Sequence, residues 1–340
     1  MKQWSLDMPP TSLRSALAIA SASASVILSA PAARAQQQAA AYPAKPINLI
    51  IALAAGGAAD IIGRALGQRL HEEWGQPVVI ENKGGANTQV ATAQFIRATP
   101  DGHTLLLTAE HTFTVNPSLY TKLAYDPDKD FSPISGLITI SQALVLSPSV
   151  QVSSIGELVA LSKSKPMTYA SLGAGSGPHL SMVMLQSMTG LQAEPVQYRG
   201  GGPALADVIA GHVPMLFVAA GLVLEPWRAG KVKLIGIGSA ARLPEVPDLP
   251  AIEETLPGFR ASVWFGLFAP GGTPGEVVGK LNTAVQRIIA EPAFHKRFMA
   301  PNHFEPMPGD PSAFAARIKA DAARWSKVIK DAKLVVKEQH

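Results

Sequence analysis

The sequence predicts an α/β protein built as two α/β domains joined by a hinge around a ligand cleft. Three observations predict it. Short apolar runs alternate with amphipathic ones along most of the chain, the chain is longer than one hydrophobic core usually serves, and its last part is helical with no strand beside it.

Runs that are partly β-branched and bounded by Gly, Pro or Ser predict strands at Ile47–Leu53, Val78–Glu81, Thr104–Thr108, Ala143–Ser147, Met167–Ala170, Pro195–Tyr198, Met215–Val218, Lys233–Ile237 and Val263–Ala269. Between the first two, Asp60–Trp74 sets Ile61, Ile62, Ala65, Leu66, Leu70 and Trp74 on one helical face and stops at Gly75. Ser154 and Glu157 have capping-box spacing ahead of Leu158 and Leu161, and His179–Met188, Pro203–Ala210 and Pro274–Ala290 continue the alternation. Strand and helix in turn predict parallel sheets covered by helices. Pro292–Met299 and Pro311–Lys330 are then two successive helical patterns, and such a tail packs back onto an existing domain. The expected division is residues 42–141 plus 260–334 as a discontinuous first domain, with 142–259 inserted as the second. Two crossings then form a hinge over a cleft.

At the N-terminus Lys2 and Arg14 precede the small, apolar stretch Ala16–Ala30, and Ala33-Arg34-Ala35 follows. That order reads as a secretory signal peptide cut after Ala35. The alternative, an uncleaved anchor, is disfavoured because Ser21, Ser23 and Ser25 interrupt a stretch shorter than the roughly 20 residues a spanning helix needs. Later apolar runs are broken by Gly, Pro or charge, so the exported chain is expected to be soluble. Cleavage would remove three basic residues and one acidic one, taking the formal charge from +4 to +2. So weak a balance argues against nucleic acid and against an anionic membrane surface. With no cysteine, disulfides, thiolate catalysis and zinc-thiolate sites are excluded.

Ala54-Ala55-Gly56-Gly57-Ala58-Ala59-Asp60 joins the first predicted strand to the first helix. Glycines there let backbone N–H groups approach a ligand, and a helix N-terminus favours an anion, with Asp60 as the helix cap. A tight turn with no ligand has the same composition. Ser171-Leu172-Gly173-Ala174-Gly175-Ser176-Gly177-Pro178-His179 is a second such cradle, offering the Ser171 and Ser176 hydroxyls. It fails as a dinucleotide fingerprint because Pro178 stands at the third glycine, and as a nucleophile elbow because Ala174 and Pro178 flank Ser176. His179 reads either as a ligand contact or as a capping or packing residue. Thr108, Glu110 and His111 follow the third strand, and Tyr198-Arg199 precede Gly200-Gly201-Gly202. An Arg suits a carboxylate, though one on a glycine-rich turn also points outward. Trp264, near the return crossing, reads first as a core aromatic. No metal-ligand spacing, phosphate loop or carboxylate pair occurs, so neither a metal nor a cofactor nor a catalytic set is expected.

Several stretches together resemble one family. Tyr42-Pro43-Ala44-Lys45-Pro46-Ile47, the Ala-Gly-Gly-x-x-Asp loop at 55–60, Gln76-Pro77-Val78-Val79 with Glu81-Asn82, Asp101-Gly102-His103-Thr104, Asn116-Pro117-Ser118-Leu119-Tyr120, Tyr125-Asp126-Pro127-Asp128, Tyr198-Arg199-Gly200-Gly201 and Ala269-Pro270-Gly271-Gly272 resemble, in order, the substrate-binding receptors of tripartite tricarboxylate transporters, the Bug receptors. The resemblance implies a periplasmic-binding-protein fold closing on a ligand, a periplasmic location, organic acids as ligands and membrane transporter subunits as partners. It also implies that the carboxylate is held by Ala55, Gly56, Gly57 and Ala58 in the first loop and by Ser171, Gly175 and Ser176 in the second. These are the two helix starts reached from the residues alone.

Three departures bear on specificity. Ala58-Ala59 lack the hydroxyls usual before the aspartate of the first loop, the usual Pro-Gly-Ala-Gly-Gly-Asn has become Gly84-Gly85-Ala86-Asn87-Thr88-Gln89, and Val218 replaces a common aspartate. A less polar pocket follows, suited to an apolar or aromatic acid over an amino acid. The expected function is a receptor that captures a small organic carboxylate and delivers it unchanged. A ligand-sensing subunit for a membrane signalling system and a periplasmic enzyme are the alternatives.

Overall fold

The structure, a computed structural model, describes residues 42–334 except 174 and 333, so the expected signal peptide and its cleavage site lie outside the described residues. The strands are β1 (Ile47–Ile51), β2 (Val78–Asn82), β3 (Thr104–Ala109), β4 (Phe131–Leu146), β5 (Thr168–Ser171), β6 (Glu194–Gln197), β7 (Met215–Ala219), β8 (Lys233–Ile237), β9 (Ser262–Pro270) and β10 (Glu305–Pro306). The helices are α1 (Ala58–Trp74), α2 (Gln89–Phe95), the single turns α3 (His111–Thr114) and α4 (Asn116–Leu119), α5 (Ile155–Ser164), α6 (Gly177–Thr189), α7 (Gly201–Ala210), α8 (Leu224–Arg228), α9 (Gly275–Ala290), α10 (Pro292–Phe294) and α11 (Pro311–Asp331). The expected alternation of strand and helix is present. At α5 the expected cap forms, with Ser154 Oγ accepting from the Glu157 N–H at 3.2 Å.

Strand β4 departs most from expectation, because it starts at Phe131 and runs for 16 residues. No strand is predicted from the sequence over Ser132-Pro133 and Ser135-Gly136, whose residue types are turn-forming. They sit where the register against β9 shifts, and such irregularities are where a strand interior admits Pro and Gly. The strand order is β2-β1-β3-β9-β4-β7-β5-β6, with β8 and β10 also pairing with β4. The first part of β4 pairs with β9 as far as Ser141↔Ser262, and from Gln142↔Ala219 onward it pairs with β7. One strand therefore serves two half-sheets. At the changeover the Gln142 N–H donates to Ala261 C=O (2.8 Å), the Gly238 N–H to Gln142 C=O (2.7 Å) and the Ala261 N–H to Gly238 C=O (2.9 Å). A Cβ on Gly238 would lie 2.4 Å from the Ala261 oxygen, so only glycine lets these segments approach.

The first half-sheet buries Ile47, Leu49, Leu105 and Leu107 with α1 and α9 on one face. On its other face Phe95, Phe113, Phe131, Trp264, Phe268 and Phe314 form an aromatic cluster, in which Phe113 and Phe268 stack 4.3 Å apart. Each such ring contributes roughly 1.5–3 kcal/mol by burial alone. The helical tail packs along both halves. Phe314 of α11 joins the aromatic cluster, whereas Trp325 and Ile329 join Leu144, Leu146, Tyr169 and Phe217 in the second half. Val115 and Leu119 enter that second cluster as well.

Trp264 is a core aromatic, fully buried, and its Nε1–H donates to Asp321 Oδ2 at 3.0 Å. Asp321 also accepts from Arg317 Nε (2.5 Å) and lies 3.1 Å from Arg324 Nη2, tying β9 to α11. Glu110 belongs to the same buried region. Its N–H donates to Trp264 C=O (3.0 Å), and its Oε2 has no hydrogen-bond partner. Burial, and after it the negative charge of Asp321, push the Glu110 carboxyl up to about 8. Because the folded value lies above the ordinary 4.5, the native state holds a proton that the unfolded chain has released between those two values. Its contribution to stability is complete below the lower value and is lost as pH rises through the upper one. Urea midpoints measured from about pH 5 to 8.5 are expected to fall less steeply in Glu110→Gln than in the parent, and parallel curves would refute this.

Candidate functional site

The carboxyl ends of two sets of parallel strands meet beside the middle of β4. β1, β2 and β3 run parallel, and Ala109 at the end of β3 pairs with Phe265, itself opposite Ile138 of β4. β5, β6 and β7 run parallel in the opposite sense, and Ala219 at the end of β7 is opposite Gln142. In open α/β sheets a ligand binds outside the carboxyl ends of strands. Here β3 and β7, the innermost strand of each set, end on either side of residues 138–142.

The loop after β1 is exposed from Ala54 through Ala55 and Gly56 to Gly57. α1 then begins at Ala58 with Gly57 as its N-cap and no side-chain acceptor there. Asp60 is not the cap. It is the third helical residue, buried, and its Oδ2 accepts from the Gly56 N–H at 2.9 Å while its Oδ1 lies 2.8 Å from Arg64 Nε. The Arg64 hydrogen bond, against the cost of burial, holds its carboxyl below the usual range. Asp60 thus shapes the loop. Gly56 has φ +83°, a conformation glycine adopts without strain.

A second loop, after β2, packs on the first: a Cβ on Gly84 would stand 3.2 Å from the Ala54 nitrogen. Ala86, Asn87 and Thr88 then adopt φ of +44°, +51° and +76°. Left-handed backbone costs a residue with a Cβ roughly 1–2 kcal/mol. Buried hydrogen bonds hold the turn. Thr88 and Thr108 each meet the Thr112 hydroxyl, at 2.8 and 2.7 Å, and Asn116 Nδ2 donates to Asn87 C=O at 2.8 Å and to the Tyr125 hydroxyl at 3.1 Å. Asn87 Nδ2 donates back to Asn116 Oδ1 at 2.5 Å, and the Tyr125 hydroxyl donates to Thr112 C=O at 2.6 Å. Thr108, fully buried, belongs to this network. Asn87, Thr88, Asn116 and Tyr125 were not singled out as site residues, although Asn87 and Thr88 stand where the resemblance expects glycines.

The loop after β5 lies directly against this turn. A Cβ on Gly175, whose φ is +79°, would be 2.6 Å from Leu119 Cδ2 and 3.6 Å from Asn87 Nδ2. At Gly177 a Cβ would be 2.9 Å from Val263 and 3.0 Å from Gln142, so the start of α6 abuts β9 and β4. Ser176 is the N-cap of α6, its Oγ accepting from the His179 N–H at 3.4 Å. Ser171 and His179 are buried, and His179 Nδ1 lies 3.2 Å from both Ser171 Oγ and the Tyr169 hydroxyl. Burial lowers the His179 imidazole pKa and favours the neutral ring. Its ring also lines a cavity of about 430 Å3 with Tyr169, Gln186 and Glu194, away from the loops after β1 and β2. Tyr198 folds back on α7, where its hydroxyl donates to Asp207 Oδ2 at 2.6 Å, and that bond pushes it up to about 12. His111, after β3, is pushed down to about 4 by burial. The structure thus leaves the backbone at 54–57 exposed, packs Gly175 against the turn after β2, and turns the Thr108, Ser171, His179 and Tyr198 side chains to structural partners.

The sequence matches the tripartite tricarboxylate transporter family receptor over residues 62–334. The chain belongs to that receptor family. Within it, Protein BugT of Bordetella pertussis is 31% identical over 294 residues, covering 85% of this chain and 90% of that protein. Among solved structures, R. palustris Rpa4515 with adipate aligns with a TM-score of 0.74 at 29% identity, over 86% of this chain and 98% of that one. The periplasmic binding protein BugD aligns with a TM-score of 0.71 at 32% identity, over 86% of this chain and 99% of that one. The receptor has the α/β periplasmic-binding-protein fold, and the family is one of substrate-binding receptors, not enzymes. Among the described residues of this family member, no helix is long and apolar enough to cross a membrane.

The Asn116 network supports the strained turn of the receptor, and Asn116→Ala leaves Asn87 C=O and the Tyr125 hydroxyl short of a partner. A loss of about 1–3 kcal/mol in urea unfolding is expected; an unchanged midpoint would show that the turn holds itself.

Proposed function

We propose that this receptor captures a small organic carboxylate in the cleft across β4 and delivers it, unchanged, to the membrane subunits of a tripartite tricarboxylate transporter. The observation that carries this reading is a pair of glycine-rich helix starts, at α1 and α6, one on each half-sheet, each following the carboxyl end of a parallel strand. Unpaired N–H groups and the positive end of the helix dipole favour an anion at such starts. In this reading the loop Ala55–Ala58 holds the carboxylate through the backbone N–H groups of Ala55, Gly57 and Ala58, that of Gly56 being taken by Asp60, and Gly175 and Ser176 join them from the second loop. Asp60, Thr108, Ser171, His179 and Tyr198 act behind them by fixing the loops.

Residues 42–141 plus 260–334 and residues 142–259 are then two domains that close on the ligand about residues 141–142 and 259–262. A ligand touching both favours the closed arrangement by its difference in affinity for the two states. Periplasmic location after removal of residues 1–35 agrees with BugD, a periplasmic binding protein. An acid without an amine is the expected ligand class, because Val218 is buried against the start of α7 and offers an ammonium nothing. Adipate, bound by the Rpa4515 protein, is of that class.

A thermal-shift panel of aliphatic dicarboxylates, citrate, acidic amino acids and aromatic acids tests the reading. A ligand at 100 times its Kd adds about 2.7 kcal/mol, a shift of a few degrees. Shifts with acids lacking an amine are expected; a preference for aspartate or glutamate contradicts the ligand class. Gly57→Val is the matching variant. Gly57 has φ −85°, and a Cβ there would meet only the Ala54 oxygen at 3.6 Å, so the fold accepts the side chain. Its branches would then cover the N–H groups of the loop, and the ligand-induced shift is expected to vanish while the unliganded melting temperature stays within a degree or two. Normal binding by this variant removes the loop from the site.

A further inference from the structure

Gln142 stands at the changeover in β4, and its backbone is fully occupied there. The N–H donates to Ala261 C=O at 2.8 Å, and the C=O accepts from the Gly238 N–H at 2.7 Å. Its side chain is not occupied. The residue is 3% exposed, its Oε1 is buried with no hydrogen-bond partner, and its Nε2 donates to no group among the described residues. A buried carboxamide without a partner costs the fold stability that methionine, of similar length and volume, would not cost. Packing alone does not account for a glutamine here.

The carboxamide is aimed at one place. Successive side chains of a strand point to opposite faces. The Ser141 hydroxyl turns to Glu305, donating to its Oε1 at 2.6 Å, and Gln142 turns to the start of α6. A Cβ on Gly177, the first residue of that helix, would stand 3.0 Å from Gln142 Nε2 and 2.9 Å from Val263 Cγ2. Ser176 and Gly177 are half-buried, so a small molecule can reach them.

This helix start is short of donors. Pro178 has no N–H, the Ser176 N–H goes to Gly173 C=O at 3.1 Å, the His179 N–H to Ser176 Oγ at 3.4 Å and the Leu180 N–H to Ser176 C=O at 2.9 Å. In the first turn the Gly177 N–H is left, without an acceptor among the described residues. A carboxylate has two oxygens to satisfy, and one N–H at a helix start leaves it underbound. The amide beside Gly177 is the second donor.

We propose that Gln142 is a ligand-contacting residue of the receptor, its Nε2 and the Gly177 N–H together binding a carboxylate at the start of α6, with Val263 against the carbon chain that carries it. This rests on the receptor reading above. Because Gln142 lies on the strand shared by both half-sheets, the contact ties the ligand to the changeover itself.

Calorimetric titration with adipate, together with urea unfolding, tests the assignment in the full protein as parent, Gln142→Met and Gln142→Glu. Loss of a hydrogen bond to a charged group corresponds to roughly a 10- to 100-fold fall in affinity. That fall is expected in Gln142→Met, with a urea midpoint equal to or above the parent's. Gln142→Glu keeps the shape but sets a carboxylate against the ligand's, and at about pH 8 it is expected to bind more weakly still. An affinity within about twofold of the parent's in either folded variant overturns the role of Gln142 and leaves the receptor reading in place. A fall in Gln142→Met that comes with a lowered midpoint overturns it as well, since the residue then acts by holding the fold. A folded parent that binds neither adipate nor any other carboxylate overturns both readings.

Discussion

The architecture depends on one continuous strand. β4 belongs to both half-sheets, and its backbone hydrogen bonds pass from β9 to β7 between Ser141 and Gln142 without a break in the chain. Because β9 is antiparallel to both β3 and β4, β3 ends close to the changeover; because β7 is antiparallel to β4, it ends there from the other side. The ends of β3 and β7 are thereby brought to the changeover from opposite sides by hydrogen-bond geometry. The close contacts at Gly238 and Gln142 keep the crossing segments together, so the changeover can flex only as a unit.

What the loop after β1 exposes is mostly backbone, and side chains behind it set the backbone's shape. Asp60 occupies the Gly56 N–H, and the Thr88–Thr112–Thr108 hydroxyls with Asn116 and Tyr125 stabilise a turn that sterics disfavour. Left-handed Ala86 and Thr88 persist only where neighbours over-determine them. Such an arrangement is preorganised: the ordering cost is met in folding, and a ligand arriving at these loops has less of it to overcome. The close approach of Gly175 to Leu119 and Asn87 extends the same logic to the loop after β5, which reaches the turn only without a side chain.

Much of the fold was legible because its signals are local. Gly75 after α1, Ser154 before α5 and the short β-branched runs each act through their own few residues, and the elements formed within a few residues of expectation. The first twelve residues of β4 were not legible. Ser132-Pro133 and Ser135-Gly136 carry loop chemistry, and only the partner β9, 130 to 137 residues further along the chain, supplies the hydrogen bonds that make them strand. For the same reason α11 read as a tail on one unit, whereas Trp325 and Ile329 find their apolar partners on the other. The two cradles were legible as glycine-rich helix starts. The orientation of Ser171, His179 and Tyr198 was not, because their partners Tyr169 and Asp207 are chosen by strand register and helix phase.

The groups that elsewhere would suggest chemistry are here removed from it by their surroundings. His111 and His179 are kept neutral by burial, the latter with its Nδ1 between two hydroxyls, and the Glu110 carboxyl is raised by burial beside Asp321. A proton-transfer site needs such groups within reach of a bound molecule; these lie behind the loops or in the core between α3 and α11. The Asp321 cluster has a mechanical consequence instead. It anchors Trp264, at the start of β9, to a helix whose two ends lie in the cores of both halves, so β4 is not the sole connection across the changeover. Motion about residues 141–142 must carry α11 with it, and large opening would pull Trp325 or Phe314 from its core at a cost of several kcal/mol. The closure proposed for the two halves would therefore have to slide these buried contacts without breaking them.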